Sequence, residues 1–365
     1  MIIGIIVIYL VNRLSKYIKN LNTKKKTTIK DIANVLNISA AAVSKALHNN
    51  SRISDKTKKA VKEVAKKLNY QPNHLASALR SGKSKLVGVI VPRTNSHFFS
   101  SVIQNIEEVL NKKGYNIIIT QSNESYKKEC ANINTLLFTQ VDGIIASMAN
   151  ETIDLQYYEK IKSKGIPLIL FDRGENDLNV DYIGIDDYHS SHIIVEHLVA
   201  QGCKRIAHIG GYKRTRIYNN RIKGYLDALK KHHLPLDEEL LIETNLSTEN
   251  GREKMQELLN LKIRPDAVYV AGDYAALGAL QVLNENNIKV PDEMALVGFG
   301  NEPFTNMVTP GITSVNQHSA EIGRLAAETF LNYTKKETIT QELKKQILDA
   351  ELIVRASSNK KTNPF

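Results

Sequence analysis

The residues best able to bind or react fall into two sets with different chemistry. The first is cationic and lies at the start of the chain. Up to Lys85 there are eighteen Lys and Arg against Asp31, Asp55 and Glu63, a local net charge of +15, while the remainder carries −4. A basic excess confined to one quarter of a chain is the electrostatic footprint of a phosphate-binding region. The second set follows strand-like apolar runs: Phe98, Arg173 in Phe-Asp-Arg-Gly, and Tyr269 and Asp273 around Ala271-Gly272. Asp273 opens a helix, so it either accepts from ligand hydroxyls or simply caps that helix. Phe98 and Tyr269 offer ring faces for stacking or belong to the core. His97 and Asn123 also follow strands, where ordinary loop roles are expected.

Covalent and metal chemistry find no support. Cys130 and Cys203 stand far apart, with no metal-binding or redox spacing, and read as reduced thiols of a cytosolic protein. There is no Gly-x-Ser-x-Gly, no phosphate loop ending in Gly-Lys-Ser/Thr, and no Cys/His cluster. Gly210-Gly211 is a strand-end turn. The expectation is a binding protein without a cofactor, not an enzyme.

The elements that position the first set are short helices. Ile29, Ile32, Ala33 and Leu36 form one apolar helical face, and Val43, Ala46 and Leu47 a second. Asn37 suits the left-handed residue of a tight turn between them, and Ser39 suits the next N-cap. This is the helix-turn-helix pattern, whose second helix enters the DNA major groove. Residues 52–70 read as a third helix capped by Ser54. Residues 73–80 are too short to be a stable helix alone and would order on a partner. Ser81 to Lys85 are a polar linker.

From Leu86 the pattern changes to alternating strands and helices. Apolar runs at 86–91, 116–120, 142–146, 167–171, 182–185, 205–210, 240–243, 267–271 and 295–299 are separated mostly by helical stretches. This predicts α/β architecture with parallel sheets. About nine strands fit two sheets better than one, with ligands at the carboxyl ends of the strands and a crevice between the sheets.

Residues 1–11 are continuously apolar but shorter than the roughly 18–20 residues a spanning helix needs. Three readings stay open for 1–23: a start assigned upstream of a native beginning near Thr23, a short helical appendage, or a marginal membrane anchor with a basic stop-transfer stretch.

The whole resembles the lactose-repressor/galactose-repressor (LacI-type) family of transcription regulators. The resemblance rests on Thr-Ile-Lys-Asp-Ile-Ala (28–33), Ala-Val-Ser-Lys-Ala-Leu (42–47), Leu-Asn-Tyr-Gln-Pro-Asn (68–73), Leu-Val-Gly-Val-Ile-Val-Pro (86–92), Val-Asp-Gly-Ile-Ile (141–145), Val-Pro-Asp-Glu (290–293), Leu-Val-Gly-Phe (296–299) and Leu-Ile-Val-Arg-Ala-Ser (352–357). Their order and spacing span 28–357.

The resemblance implies a small all-α headpiece (24–72), a hinge helix and linker (73–85), and a two-lobed α/β domain like periplasmic binding proteins, built from two Rossmann-like subdomains. The N-lobe is expected at 86–185 plus 315–346, the C-lobe at 186–314 plus 347–358, and a tail at 359–365. Three crossovers are placed near Ile185, Thr313 and Gln346. It also implies a cytoplasmic homodimer reading double-stranded operator DNA under control of a small effector, a sugar or sugar derivative. The rival reading is a sugar-binding transport or receptor protein, possibly membrane-anchored, but the basic headpiece argues against it.

By the resemblance, Ala40, Ala41 and Lys45 take the base-reading positions. Lys45 suits guanine, whereas the alanines offer little beyond a thymine methyl contact, so DNA shape carries more of the readout. Thr28, Ser39, Ser44 and Asn49 are candidates for phosphate contacts, while His48 replaces a common Asn. Leu79, with Ala76 beside it, matches the minor-groove wedge of the hinge. Arg221 matches a cleft arginine. Where the family usually has an Asp after Val-Gly-Phe299, this chain has Gly300-Asn301, so Asn301 becomes a substitute ligand-binding residue. That departure leaves open an uncommon, acidic or phosphorylated sugar.

Overall fold

A computed structural model of the chain describes residues 27–70, 82–335 and 343–360. The expectations for residues 1–23 and for Ala76 and Leu79 lie outside these. The chain divides into two compact units, one up to Gly82 and one from Lys83 onward.

In the first unit, α1 (Ile29–Leu36), α2 (Ala40–Leu47) and α3 (Asp55–Lys67) surround a small core. Thr28 and Asp31 form a capping box at α1: Thr28 N–H donates to Asp31 Oδ2 at 2.7 Å, and Asp31 N–H to Thr28 Oγ1 at 3.4 Å. Asn37 takes the left-handed conformation, φ 49° and ψ 47°, and Ser39 caps α2 by accepting from Ala42 N–H at 3.1 Å. Ile32, Ala33, Val43, Ala46, Val61 and Ala65 are buried together. The third helix is shorter than the 52–70 expected. Ser54 caps its start by accepting from Thr57 N–H, and left-handed Asn69 ends it.

The second unit holds two six-stranded sheets. The first contains β1 (Leu86–Val91), β2 (Asn116–Gln121), β3 (Gly143–Ala146), β4 (Leu168–Phe171), β5 (Asp181–Ile185) and β11 (Lys345–Leu348), ordered β11-β5-β4-β3-β1-β2 and all parallel. The second contains β6 (Ile206–Gly210), β7 (Leu241–Glu243), β8 (Ala267–Val270), β9 (Ala295–Phe299), β10 (Thr313–Asn316) and β12 (Glu351–Ile353), ordered β12-β10-β9-β8-β6-β7 with only β12 antiparallel. Helices α4 (His97–Asn111), α5 (Tyr126–Phe138), α6 (Gln156–Ser163) and α11 (Ser319–Tyr333) belong to the first lobe. Helices α7 (Asp187–Ala200), α8 (Arg216–Lys231), α9 (Thr248–Leu259) and α10 (Asp273–Glu285) belong to the second. The central strands are buried on both faces, as covered parallel sheets require.

The chain passes between lobes three times: after β5, between β10 and α11, and between β11 and β12. The second and third passages fall a few residues beyond the sequence boundaries at 314/315 and 346/347, because 313–316 and 345–348 each run whole as strands of one sheet. The strands β10, β11 and β12 were absent from the nine apolar runs. Lys-Gln-Ile-Leu and Glu-Leu-Ile are half-exposed edges, and Thr-Ser-Val-Asn is polar. Its hydroxyls are buried but bonded: Thr313 Oγ1 donates to the Arg355 carbonyl at 3.0 Å, and Ser314 Oγ to Asp273 Oδ1 at 2.7 Å. Helix α8 lies against α7 at Gly224, where a Cβ would stand 2.1 Å from the Tyr188 carbonyl oxygen.

Candidate functional site

On the first unit, α2 turns its buried stripe (Val43, Ala46) inward and leaves Ala41 and Lys45 exposed four residues apart, with Ala40 partly covered. The four residues expected at phosphates are placed as follows. Thr28 is exposed, but its hydroxyl donates to Asp31 Oδ2 at 2.7 Å. Ser39 is exposed and uses its oxygen as the α2 cap. Ser44 is half-buried, and its carbonyl binds His48 Nδ1 at 2.7 Å. Asn49 is exposed, with Oδ1 accepting from Lys62 Nζ at 2.9 Å.

In the second unit a cavity of about 100 Å³ lies between the lobes, beyond the carboxyl ends of both sheets. Strand β4 is followed by Asp172-Arg173, β8 leads through Ala271-Gly272 to Asp273 at the start of α10, β9 ends in Phe299 and continues to Gly300 and Glu302, and α4 brings Phe98. Of the residues predicted from sequence, Phe98, Arg173, Arg221 and Asp273 meet here.

Arg221 is the best-anchored of them. It is 4% exposed, as is Asp187. Its Nε and Nη2 each lie 2.8 Å from Asp187 Oδ1, and Nη1 donates to the Ala271 carbonyl at 3.0 Å. Its guanidinium carbon stands 3.6 Å from the centroid of the Phe299 ring. Burial pushes the Asp187 carboxyl up to about 6 against the pull of Arg221.

Arg173 binds Glu124 Oε2 through Nη1 at 2.7 Å and the Tyr218 hydroxyl of the opposite lobe through Nη2 at 3.3 Å. Glu124 also takes Arg93 at 2.8 Å. Burial acts to raise the Glu124 carboxyl, but Arg173, Arg93 and the Asn150 N–H outweigh it and hold it at about 2. Arg173 Nε is buried without a hydrogen-bond acceptor, 3.8 Å from Asp172 Oδ2. Burial raises Asp172 despite Arg173 and Arg221 nearby. Asp273 accepts from Glu302 N–H at 2.8 Å and from Ser314; burial still pushes it up to about 6.

Two expected effector residues fall outside the cleft. Tyr269 is fully buried in the second lobe; its hydroxyl is 2.6 Å from Ser191 Oγ and its ring 4.4 Å from that of His208. Alternation along β8 sends it to the face covered by α7 and α8, and the cleft is reached only past the strand end. Asn301 turns away because its backbone is left-handed, φ 52°, and its Oδ1 accepts from Arg355 Nη2 at 2.7 Å. Its neighbours line the cleft instead. Gly300, at φ 129°, holds a conformation that side-chain-bearing residues rarely adopt, and a Cβ there would stand 3.3 Å from Asp273 Oδ2. At this point of the cleft the chain thus presents a glycine, with Asp273 behind it. His97 and Asn123 are exposed.

Sequence reasoning missed Asp172, Asp187, Tyr218, Glu302 and Gln317. The acids carried a signal: each lies within three residues of a strand end, in Phe-Asp-Arg, Ile-Asp-Asp and Gly-Asn-Glu. Tyr218 and Gln317 gave none. Among the described residues no group of three or more His, Cys, Asp or Glu side chains is placed to hold a metal ion. No described helix is long and apolar enough to cross a membrane.

A helix-turn-helix unit preceding a two-lobed domain is the architecture of a DNA-binding regulator, and comparison with known proteins agrees. The profile described as bacterial regulatory proteins, lacI family, matches residues 28–73, and that of the periplasmic binding protein-like domain matches 195–358. The HTH-type transcriptional regulator DegA of Bacillus subtilis (strain 168) is 32% identical over 92% of this chain and 98% of its own. Catabolite control protein A of Priestia megaterium is 31% identical over 87% and 95%. Among solved structures, the lac repressor dimer bound to operator and the anti-inducer ONPF superposes with TM-score 0.81 over 92% of this chain and 99% of that one; at 23% identity it speaks for the fold. CcpA of Lactococcus lactis gives TM-score 0.69 at 28% identity over 75% and 98%. The chain belongs to the LacI family of bacterial transcription regulators.

Proposed function

We propose that this chain is a homodimeric, cytoplasmic repressor whose affinity for one operator sequence is set by a small, neutral, polyhydroxylated effector, a sugar or close derivative, held between the lobes. The carrying observation is the charge balance of the cleft. Arg173 is paired with Glu124 and Arg221 with Asp187, so neither guanidinium calls for an anionic ligand. Arg173 Nε remains as a buried donor, Asp172 and Asp273 as acceptors, and Phe98 and Phe299 as apolar surfaces. Many directed hydrogen bonds beside ring faces suit a polyol. A cavity of about 100 Å³ is below the roughly 300–1,000 Å³ usual for small-molecule sites, so entry requires the lobes to part.

Opening and closing of the lobes is then the two-state element coupled to DNA. A coupling of about 1–3 kcal/mol changes operator affinity 5- to 150-fold. Lys45 supplies the charged major-groove contact, with Ala40 and Ala41 permitting close approach, and Thr28, Ser39, Ser44 and Asn49 sit toward the phosphates.

The test is selection of binding sites from random duplexes by the purified full chain, repeated with a panel of neutral, acidic and phosphorylated sugars. The expected result is one pseudo-palindromic sequence whose enrichment changes with a neutral sugar. Absence of preference over bulk competitor DNA at cellular ionic strength, with and without the sugars, overturns the reading. Lys45→Ala is expected to weaken binding to the selected site by tenfold or more and to relax its guanine preference.

A further inference from the structure

Glu302 does something that cleft lining does not require. It belongs to the second lobe, just after β9, yet its carboxylate reaches the first turn of α4 in the first lobe. Oε2 accepts from His97 N–H at 3.0 Å and Oε1 from Phe98 N–H at 3.4 Å. These are the first two residues of α4, whose amides have no acceptor within their own helix. The third amide, of Phe99, is taken by Ser96 Oγ at 3.4 Å. The start of α4 is therefore capped jointly by its own N-cap serine and by a carboxylate from the opposite lobe.

Glu302 is held for this task. It is 6% exposed, its N–H donates to Asp273 Oδ2 at 2.8 Å, and its carbonyl accepts from Thr305 Oγ1 at 2.7 Å. Beside it, the Tyr274 hydroxyl donates to the Asn95 carbonyl, again across the cleft, at 3.1 Å. On the opposite rim, Arg216 Nε donates to the Gly174 carbonyl at 2.7 Å, with the Glu175 carboxylate also within its electrostatic reach, and Arg214 Nε donates to the Asn150 carbonyl at 3.1 Å. The Glu302 contact adds a charged acceptor at the positive end of a helix dipole, which strengthens it relative to neutral hydrogen bonds.

We propose that Glu302 is an interlobe latch: by capping α4 from the second lobe it favours the closed cleft without effector and so sets the basal operator affinity. The latch itself rests on geometry; its consequence for DNA rests on the regulator reading above.

Hydrogen exchange of the effector-free full chain, read at the amides of His97 and Phe98, tests it. Glu302→Ala keeps both backbone bonds of residue 302 and removes only the carboxylate. The expectation is exchange at least tenfold faster at both amides, with Phe99 changed less, and a larger radius of gyration by solution scattering. Glu302→Gln, which keeps an acceptor oxygen but no charge, is expected to fall between, with thermal unfolding unchanged. Operator affinity of the effector-free Glu302→Ala protein should then differ at least fivefold from the parent. Equal exchange in parent and both variants overturns the latch, whatever the DNA does. Faster exchange with unchanged operator affinity overturns its regulatory part. A parent protein with no operator at all refutes the regulator reading instead, leaving the exchange result to judge the latch.

Discussion

The Arg221–Asp187 pair makes an asymmetric prediction, because only one partner can escape its charge. Both side chains are 4% exposed. In Asp187→Leu, Arg221 keeps a full charge that it cannot lose, left to the Ala271 carbonyl, the Phe299 and Tyr218 rings and the pull of the Asp172 carboxyl nearby. Removing one partner of a buried pair in this way costs about 3–5 kcal/mol. In Arg221→Met, Asp187 escapes by taking up a proton. Its carboxyl already stands at about 6, so at pH 7 the additional electrostatic cost is capped by the distance from about 6 to 7, worth about 1.4 kcal/mol; methionine replaces the apolar stem. The pH dependence follows in sign. A buried carboxyl raised above its unfolded value costs stability at high pH, and the cost is released as pH falls through about 6 toward 4. Without Arg221 that window moves upward, so Arg221→Met recovers stability relative to the parent between pH 7.5 and 5.5, whereas Asp187→Leu does not. Denaturant unfolding of the full-length proteins at both pH values, followed by circular dichroism, measures both effects. If Arg221→Met is destabilised at pH 7 as much as Asp187→Leu, the reasoning is wrong.

Two further predictions concern packing and the hinge. Gly224→Ala places a methyl 2.1 Å from the Tyr188 carbonyl oxygen, forcing α7 and α8 apart; a loss of about 1–3 kcal/mol is expected, read as a lowered melting temperature, and an unchanged one would show that the helices yield freely. Leu79→Ala is expected to weaken operator binding at least tenfold while leaving effector affinity as it was, by analogy with an apolar wedge that unstacks a base step; equal operator affinity in titrations of the selected duplex would refute that role.

What could be read from sequence followed how local each signal was. The caps Ser39 and Ser54 and the left-handed Asn37 are set by a few neighbouring residues and were legible; the Thr28 cap is as local but was read only as a phosphate contact. The central strands were legible because burial on both faces demands unbroken apolar runs. The edge strands β11 and β12 were not, since their residues are half-exposed and gain strand structure only from a partner far away in the chain. In the cleft, Arg221 and Asp273 were legible from motif and position. Tyr269 misled because proximity to a strand end does not tell which face a side chain takes, and Asn301 because a single left-handed residue reverses the direction that its neighbours share. Glu302 lay one position further on, and the partners of its carboxylate are more than two hundred residues away, beyond the reach of any local pattern.

The triple passage between lobes also bears on how the polypeptide is made. The first sheet lacks its β11 edge, and the cover that α11 gives to β4 and β5, until residues 319–348 have been synthesised, which at about 5–20 residues per second is roughly 10–30 s after β5 leaves the ribosome. During that interval a sheet with five of its six strands presents an open edge and bare apolar strands. Neither lobe can finish first: each waits for a segment encoded after most of the other. Newly made chains are therefore exposed to mispairing while still tethered, and a nascent form shortened within this stretch leaves two unfinished sheets rather than one sound lobe.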